Sequence, residues 1–148
     1  MVDRESRDRA ALLMRRFAAD RITNDGFADP YPFSRADPAL LAVYDRSWAL
    51  YSDLRPHYLH ASRELRHELA RWVLFLSSDC EYTWPRFRFL GLTVPLVLNW
   101  LSGGWLQRRL NRPFDRFAAC GDFSVWPFRT RAEYERALRQ PRYLGGRV

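Results

Sequence analysis

Most of the chain repeats its apolar residues at helical spacing. Between about Asp3 and Asp20, Ala11, Leu12, Met14 (or Ala10), Ala18 and Ile22 fall near one face, with Arg7, Arg9, Arg15 and Arg16 largely off it. This predicts an amphipathic first helix. Thr23-Asn24-Asp25-Gly26 and Asp29-Pro30-Tyr31-Pro32 then mark a connector whose Asp25-Gly26 and prolines oppose regular helix. Asp37-Pro38 reads as a helix start: the carboxylate can accept from first-turn amides, and proline gives up an amide hydrogen that would have no helical partner there. The second helix is expected to bury Leu40, Leu41, Tyr44, Trp48 and Tyr51 and to end near Arg55-Pro56. A third runs from about Pro56 to Ser77, with Tyr58, Ser62, Leu65, Leu69, Trp72 and Leu76 on one stripe; its end, Trp72 to Leu76, is apolar all round.

After Ser77 the period changes. Cys80 to Phe89 alternates aromatic and polar residues around Trp84-Pro85, and Cys120 to Arg129 repeats that order around Trp126-Pro127. Alternation with proline at an edge suits extended chain, so the two segments are expected to pair as a small β ribbon. Trp105 to Asn111 and Pro113 to Cys120 read as two helical pieces, with Gly121 at a C-cap. A last helix starts at Thr130, with Glu133 completing a capping box, and stops before Pro141.

The stretch Phe89 to Leu106 has no ionisable side chain and is bracketed by Arg86 and Arg88 on one side and Arg108, Arg109 and Arg112 on the other. Its 18 residues sit at the lower limit for crossing a bilayer. Pro95 and Gly103-Gly104 shorten any helix within it to about two turns, so a buried core helix is favoured. The alternative is a peripheral membrane contact, with Trp100 and Trp105 at the interface and Arg108 and Arg109 on anionic head groups.

Composition bounds the partners. A chain of 148 residues with 47% apolar and 16% aromatic content suits one globular domain, with an N-terminal helical part (1–78) and a basic, aromatic-rich part (79–148). All 24 basic residues are Arg and Ile occurs once, the bias of a GC-rich bacterial genome, so Arg richness alone does not indicate nucleic acid. The absence of Lys excludes Schiff-base and P-loop lysine chemistry. Residues 1–85 hold 12 Arg against 13 acids, whereas 86–148 hold 12 Arg against 4 acids. The second part should therefore meet something anionic, an acidic protein or an anionic membrane surface, with nucleic acid behind both. Two cysteines make neither a disulfide framework nor a zinc site, and the first residues lack a secretory h-region. A cytoplasmic protein, or one peripheral at the inner membrane, is expected.

Candidate chemistry is sparse. His60, Glu64 and His67 recur at i, i+4 and i+7 and offer imidazole and carboxylate to a divalent metal, but that stripe lies nearly opposite the apolar one and so should face water. No Gly-x-Ser-x-Gly, phosphate loop or dinucleotide fingerprint occurs, and no cofactor is implied. Trp84, Arg86, Arg88, Trp126 and Arg129 combine the residue types that dominate protein interfaces. The sequence thus points to a mainly α single domain of four to five helices, with the two-stranded ribbon in addition. Its expected role is non-catalytic binding of a protein partner, of adaptor or toxin-neutralising type, through that aromatic and Arg-rich surface. Membrane attachment through 89–106 comes next, and an enzyme or metal protein built on the His60 stripe last.

Overall fold

The computed structural model describes residues 1–52, 54–87 and 105–139. They form six α-helices: α1 (Arg4–Ala18), α2 (Asn24–Ala28), α3 (Pro38–Trp48), α4 (Arg63–Leu76), α5 (Trp105–Ala118) and α6 (Arg131–Arg139), with a 3-10 turn at Phe123–Val125. The protein is mainly α, and among the described residues there is no strand.

Side chains cap the helix starts, at Asp37 and Thr130 as the sequence indicates and at Asp3 and Ser62 in addition. Asp3 accepts from Ser6 N at 3.2 Å, Asp37 from Ala39 N at 3.1 Å with Pro38 at the first helical position, and Ser62 from Leu65 N at 3.2 Å. Before α6, Glu133 N donates to Thr130 Oγ1 and Thr130 N to Glu133 Oε2, each at 3.3 Å, a reciprocal capping box.

Helices α1 and α4 pair antiparallel, with the N-terminal turns of α1 beside the C-terminus of α4. Arg4 donates there to the carbonyls of Leu76 and, at 2.7 Å, Ser78. A cation at this end satisfies carbonyls that have no helical donor and opposes the negative end of the helix dipole.

One turn on, Arg7 is fully buried, and so is Asp37. Arg7 Nε and Nη2 donate to Asp37 Oδ2 and Oδ1 at 2.5 and 3.0 Å, and Nη1 donates to Cys80 O at 2.8 Å. Its guanidinium lies 5.0 Å from the centre of the Phe75 ring. The expectation that Arg7 lies off the buried face is therefore corrected, and Leu12, expected inward, is half exposed while Leu13 and Phe17 are buried. The buried stripe of α1 is rotated to include Arg7, whose guanidinium is matched by the Asp37 carboxylate.

The main core joins Met14 and Phe17 of α1 to Phe27, Leu40, Val43, Leu69 and Trp72. A second cluster, Leu74, Phe75, Val125, Phe128 and Ala137, holds α6 against α4. Phe17 and Phe27 stack at 4.8 Å, so the short α2, in a region read as connector, sits on α1 through an aromatic contact.

The two Trp-Pro segments meet, though not as a ribbon. Trp84 is buried, and its Nε1 donates to the carbonyls of Pro127 and Phe128 at 3.1 and 3.2 Å. Arg129 Nη1 donates to Thr83 O at 3.1 Å, and its Nε to Cys120 O at 3.0 Å. Bonds from side chain to backbone thus replace a strand ladder, because Trp126, Pro127 and Phe128 are all buried and use the segment's second face for packing. Gly121 lies at the tightest point: a Cβ there would stand 2.6 Å from Arg129 O. The glycine is required by close approach rather than as a helix cap.

Three further boundaries differ from the sequence reading. Trp105 to Ala118 is one helix that contains Pro113. Helix α4 begins at Arg63 instead of near Pro56, because His57 is held to Asn24 by paired bonds, His57 N to Asn24 Oδ1 at 2.8 Å and Asn24 N to His57 O at 3.0 Å. Helix α3 ends at Trp48 instead of near Arg55-Pro56, and on it Leu40 and Val43 are buried but Leu41 and Trp48, expected inward, are exposed. The expected core helix from Pro95 lies outside the described residues.

Arg7→Met should lower unfolding free energy by about 3–5 kcal/mol, since it leaves a buried carboxylate unmatched, whereas Arg7→Met with Asp37→Leu should lose less; urea denaturation measures both. Gly121→Ala should cost about 1–3 kcal/mol in the same assay, because the atom it meets is backbone.

Candidate functional site

The residues singled out from sequence separate into three groups. Trp84 and Trp126 are core residues, and Arg129 is an exposed cross-link whose guanidinium donates to two backbone carbonyls. Arg86 is exposed at the mouth of a groove. Arg88 and Trp100 lie outside the described residues; Trp105, Arg108 and Arg109 belong to the first turns of α5. No helix among the described residues is long and apolar enough to cross a membrane.

The His60 stripe is not a helical face. His60 precedes α4 with a left-handed φ of 47°, and its backbone N–H donates to Asp20 Oδ1 at 2.7 Å. Glu64 and His67 are on α4 itself. Among the described residues no group of three or more His, Cys, Asp or Glu side chains is placed to hold a metal ion.

The structure instead brings together an aromatic surface that the sequence reading had buried. The outer face of α3 presents Leu41, Asp45 and Trp48 at i, i+4 and i+7, and Leu41 and Trp48 are each 51% exposed. Phe33, in the connector, is 58% exposed and packs edge-on to Tyr44 at 4.8 Å; Tyr44 in turn meets Trp48 at 5.8 Å. These rings continue inward through Tyr31 to Phe27, so the exposed end of the row is braced by the core. Tyr31 itself is buried and donates to Leu40 O at 3.1 Å. Burial, with the Asp37 carboxylate nearby, pushes its phenol far above the ordinary range.

Beside this face lies a groove of about 710 Å³. Phe33, Leu41, Tyr82, Trp84 and Phe87 give it an apolar lining, and Arg35, Arg86 and Asp45 supply its charges. Neither Arg35 nor Arg86 has an ion-pair partner among the described residues, whereas the buried Arg7 is paired with Asp37 and the partly buried Arg46 with Glu68. Burial of Tyr82 raises its phenol to about 12, with Asp45 adding to the shift and the Trp126 indole opposing it. The groove therefore offers apolar pockets, a phenol that stays protonated across the physiological range, and two guanidinium groups open to an incoming acid.

Sequence reasoning found Arg86 but missed Phe33, Leu41 and Trp48. The available signal was the excess of apolar residues on α3: Leu40, Leu41, Val43, Tyr44 and Trp48 span more than one face, so some had to be exposed or met by another chain. No family model matches the sequence, and no curated protein or solved structure is similar to the chain.

The Tyr82 shift has a measurable sign. The folded protein holds this proton more tightly than an unfolded chain, whose phenols titrate near 10, so the associated stability is fully present below about pH 10 and is lost as pH rises through 12. Phenolate absorbance should show one tyrosine titrating near 12, ahead of the more strongly shifted Tyr31, and Tyr82→Phe should remove that phase alone; a phase near 12 that survives the substitution would assign the shift elsewhere.

Proposed function

We propose that the protein is a non-catalytic binding module of adaptor type that docks an acidic protein partner on the outer face of α3 and the groove beside it. The observation that carries this reading is the exposed row Phe33, Leu41 and Trp48, rigidly backed by the core and continuous with a groove bordered by Arg35 and Arg86. Large apolar side chains exposed together on one helix face leave apolar area in water that a partner would cover. Aromatic anchors ringed by Arg are the usual composition of an interface hot spot.

The charge selects the class of partner. With a net charge of +7 on the chain, long-range attraction favours an acidic surface, and Arg35 and Arg86 can each donate two parallel bonds to a carboxylate. A toxin-neutralising role against a nuclease is disfavoured on the same ground, since nucleases present basic surfaces to their substrates. The reading takes a reducing, cytoplasmic setting, supported by Cys80 and Cys120 being free thiols.

Immobilised protein should retain a partner from cell lysate that Leu41→Asp and Trp48→Ala reduce by about tenfold or more, and that salt elutes. Leu12→Asp, an exposed site on α1, serves as the control and should retain it fully. If both α3 variants keep their helical circular dichroism and the same captured proteins as wild type, the α3 face is not the docking surface.

A further inference from the structure

A second groove, of about 500 Å³, lies where α1, α4 and α6 converge, away from the outer face of α3. Its floor is apolar: Ala18 from α1, Leu69, Ala70 and Leu74 from α4, and Leu138 from α6. Its ionisable lining, apart from the Tyr134 phenol, is Arg15, Arg66, His67 and Arg71, with no Asp or Glu. The acids next to the lining residues in sequence have partners elsewhere: Glu68 lies 3.6 Å from Arg46, Asp20 accepts from His60 N, Glu133 accepts from Arg129 N and Thr130 N, and Glu135 lies 3.7 Å from both Arg131 and Arg139. Arg15 and Arg66 are exposed and have no ion-pair partner among the described residues. Arg71 is anchored, its Nε donating to Trp126 O at 2.7 Å, which fixes the remaining guanidinium donors in place.

We infer that this groove is a separate docking site for an acidic amphipathic helix of a partner protein. Three features select that occupant. The lining residues of α4 run from Arg66 to Leu74, about 12 Å at the helical rise, the length of about two turns of an incoming helix. Ala18, Ala19 and Ala70 are small enough for a helix backbone to come close, and Leu138, half exposed, would be covered by it. Guanidinium groups come from two helices, Arg15 on α1 and Arg66 and Arg71 on α4, with the His67 imidazole beside them. A ligand with a single carboxylate would answer one of the three guanidinium groups, whereas a helix with acids flanking an apolar stripe can answer those of both helices. Docking here uses none of Phe33, Leu41 or Trp48, so the two sites can be tested apart.

The probe is a fluorescein-labelled synthetic helix with Leu on one stripe and Glu elsewhere, followed by anisotropy against the full chain. The Leu/Glu helix should bind, lose affinity as salt rises, and be weakened at least about fivefold by Arg15→Glu and by Arg66→Glu. Leu138→Asp should weaken it comparably through the floor, while Leu54→Asp, at an exposed position that lines neither groove, should leave it unchanged. Circular dichroism checks that each variant is folded, and Arg66→Ala offers a milder change at the same exposed site. Equal binding of a Leu/Lys helix, or affinity indifferent to the Arg15, Arg66 and Leu138 variants, would overturn the proposal. So would preferential displacement by laurate or by phosphatidylglycerol vesicles, which would assign the groove to a lipid carboxylate or a membrane surface instead.

Discussion

The buried pair of Arg7 and Asp37 is the contact on which the N-terminal half of the fold depends. Asp37 accepts from Arg7 Nε and Nη2, from Ala39 N and from Asp3 N, so one carboxylate closes the start of α3, receives the start of α1 and neutralises a buried guanidinium. Arg7 spends its remaining donors on the carbonyls of Ser78 and Cys80, just beyond α4. Taking both charges out of water costs several kcal/mol each, and the attraction between them offsets this only because nearly every donor and lone pair is used. Such a site is of modest net value for stability but allows few alternative arrangements. It sets the register of α1 against α4 and brings residues 78–80 back to both.

Placement of the Trp-Pro segments follows from that register. Once the chain leaves α4 beside α1, Tyr82 and Trp84 are carried across the C-terminal part of the core, where Trp84 reaches the Pro127 and Phe128 carbonyls. Trp72 meets Trp126 edge-on at 5.3 Å, and Phe75 meets Phe128 at 5.0 Å, so α4 and the second segment share one aromatic layer. The aromatics that look like an interaction motif in sequence are absorbed here as core. Their Arg neighbours divide: Arg129 becomes a clamp on backbone carbonyls, and Arg86 faces solvent beside the groove.

That division leaves the exposed aromatic row, the proposed docking face, in the opposite sequence half. The C-terminal part carries the excess positive charge, but the exposed aromatic row belongs to the connector and α3, and Arg35 borders it from the N-terminal side. Charge in sequence and charge in space differ because folding pairs some cations and leaves others open. Arg7 and Arg46 have acid partners; Arg15, Arg35, Arg66 and Arg86 have none among the described residues.

The sequence by itself determined the helical class and most helix starts. Asp37-Pro38 and the Thr130 to Glu133 box depend on groups within one turn of each other, and the interior end of α4 follows from an apolar run that has no polar face. Tertiary structure alone decided which polar residues are buried and which apolar ones are not. Arg7 reads as a surface residue because its partner lies 30 positions away, and Trp84 and Trp126 read as recognition residues because the Pro127 carbonyl bonded by the one and the Trp72 ring met by the other lie 43 and 54 positions away. His60 falls on a helical stripe only when α4 is continued back past Arg63, and bonds between Asn24 and His57, invisible to local periodicity, prevent that continuation. Local spacing fixes what a segment can form alone; the solvent exposure of any one side chain is set by which distant segment arrives opposite it.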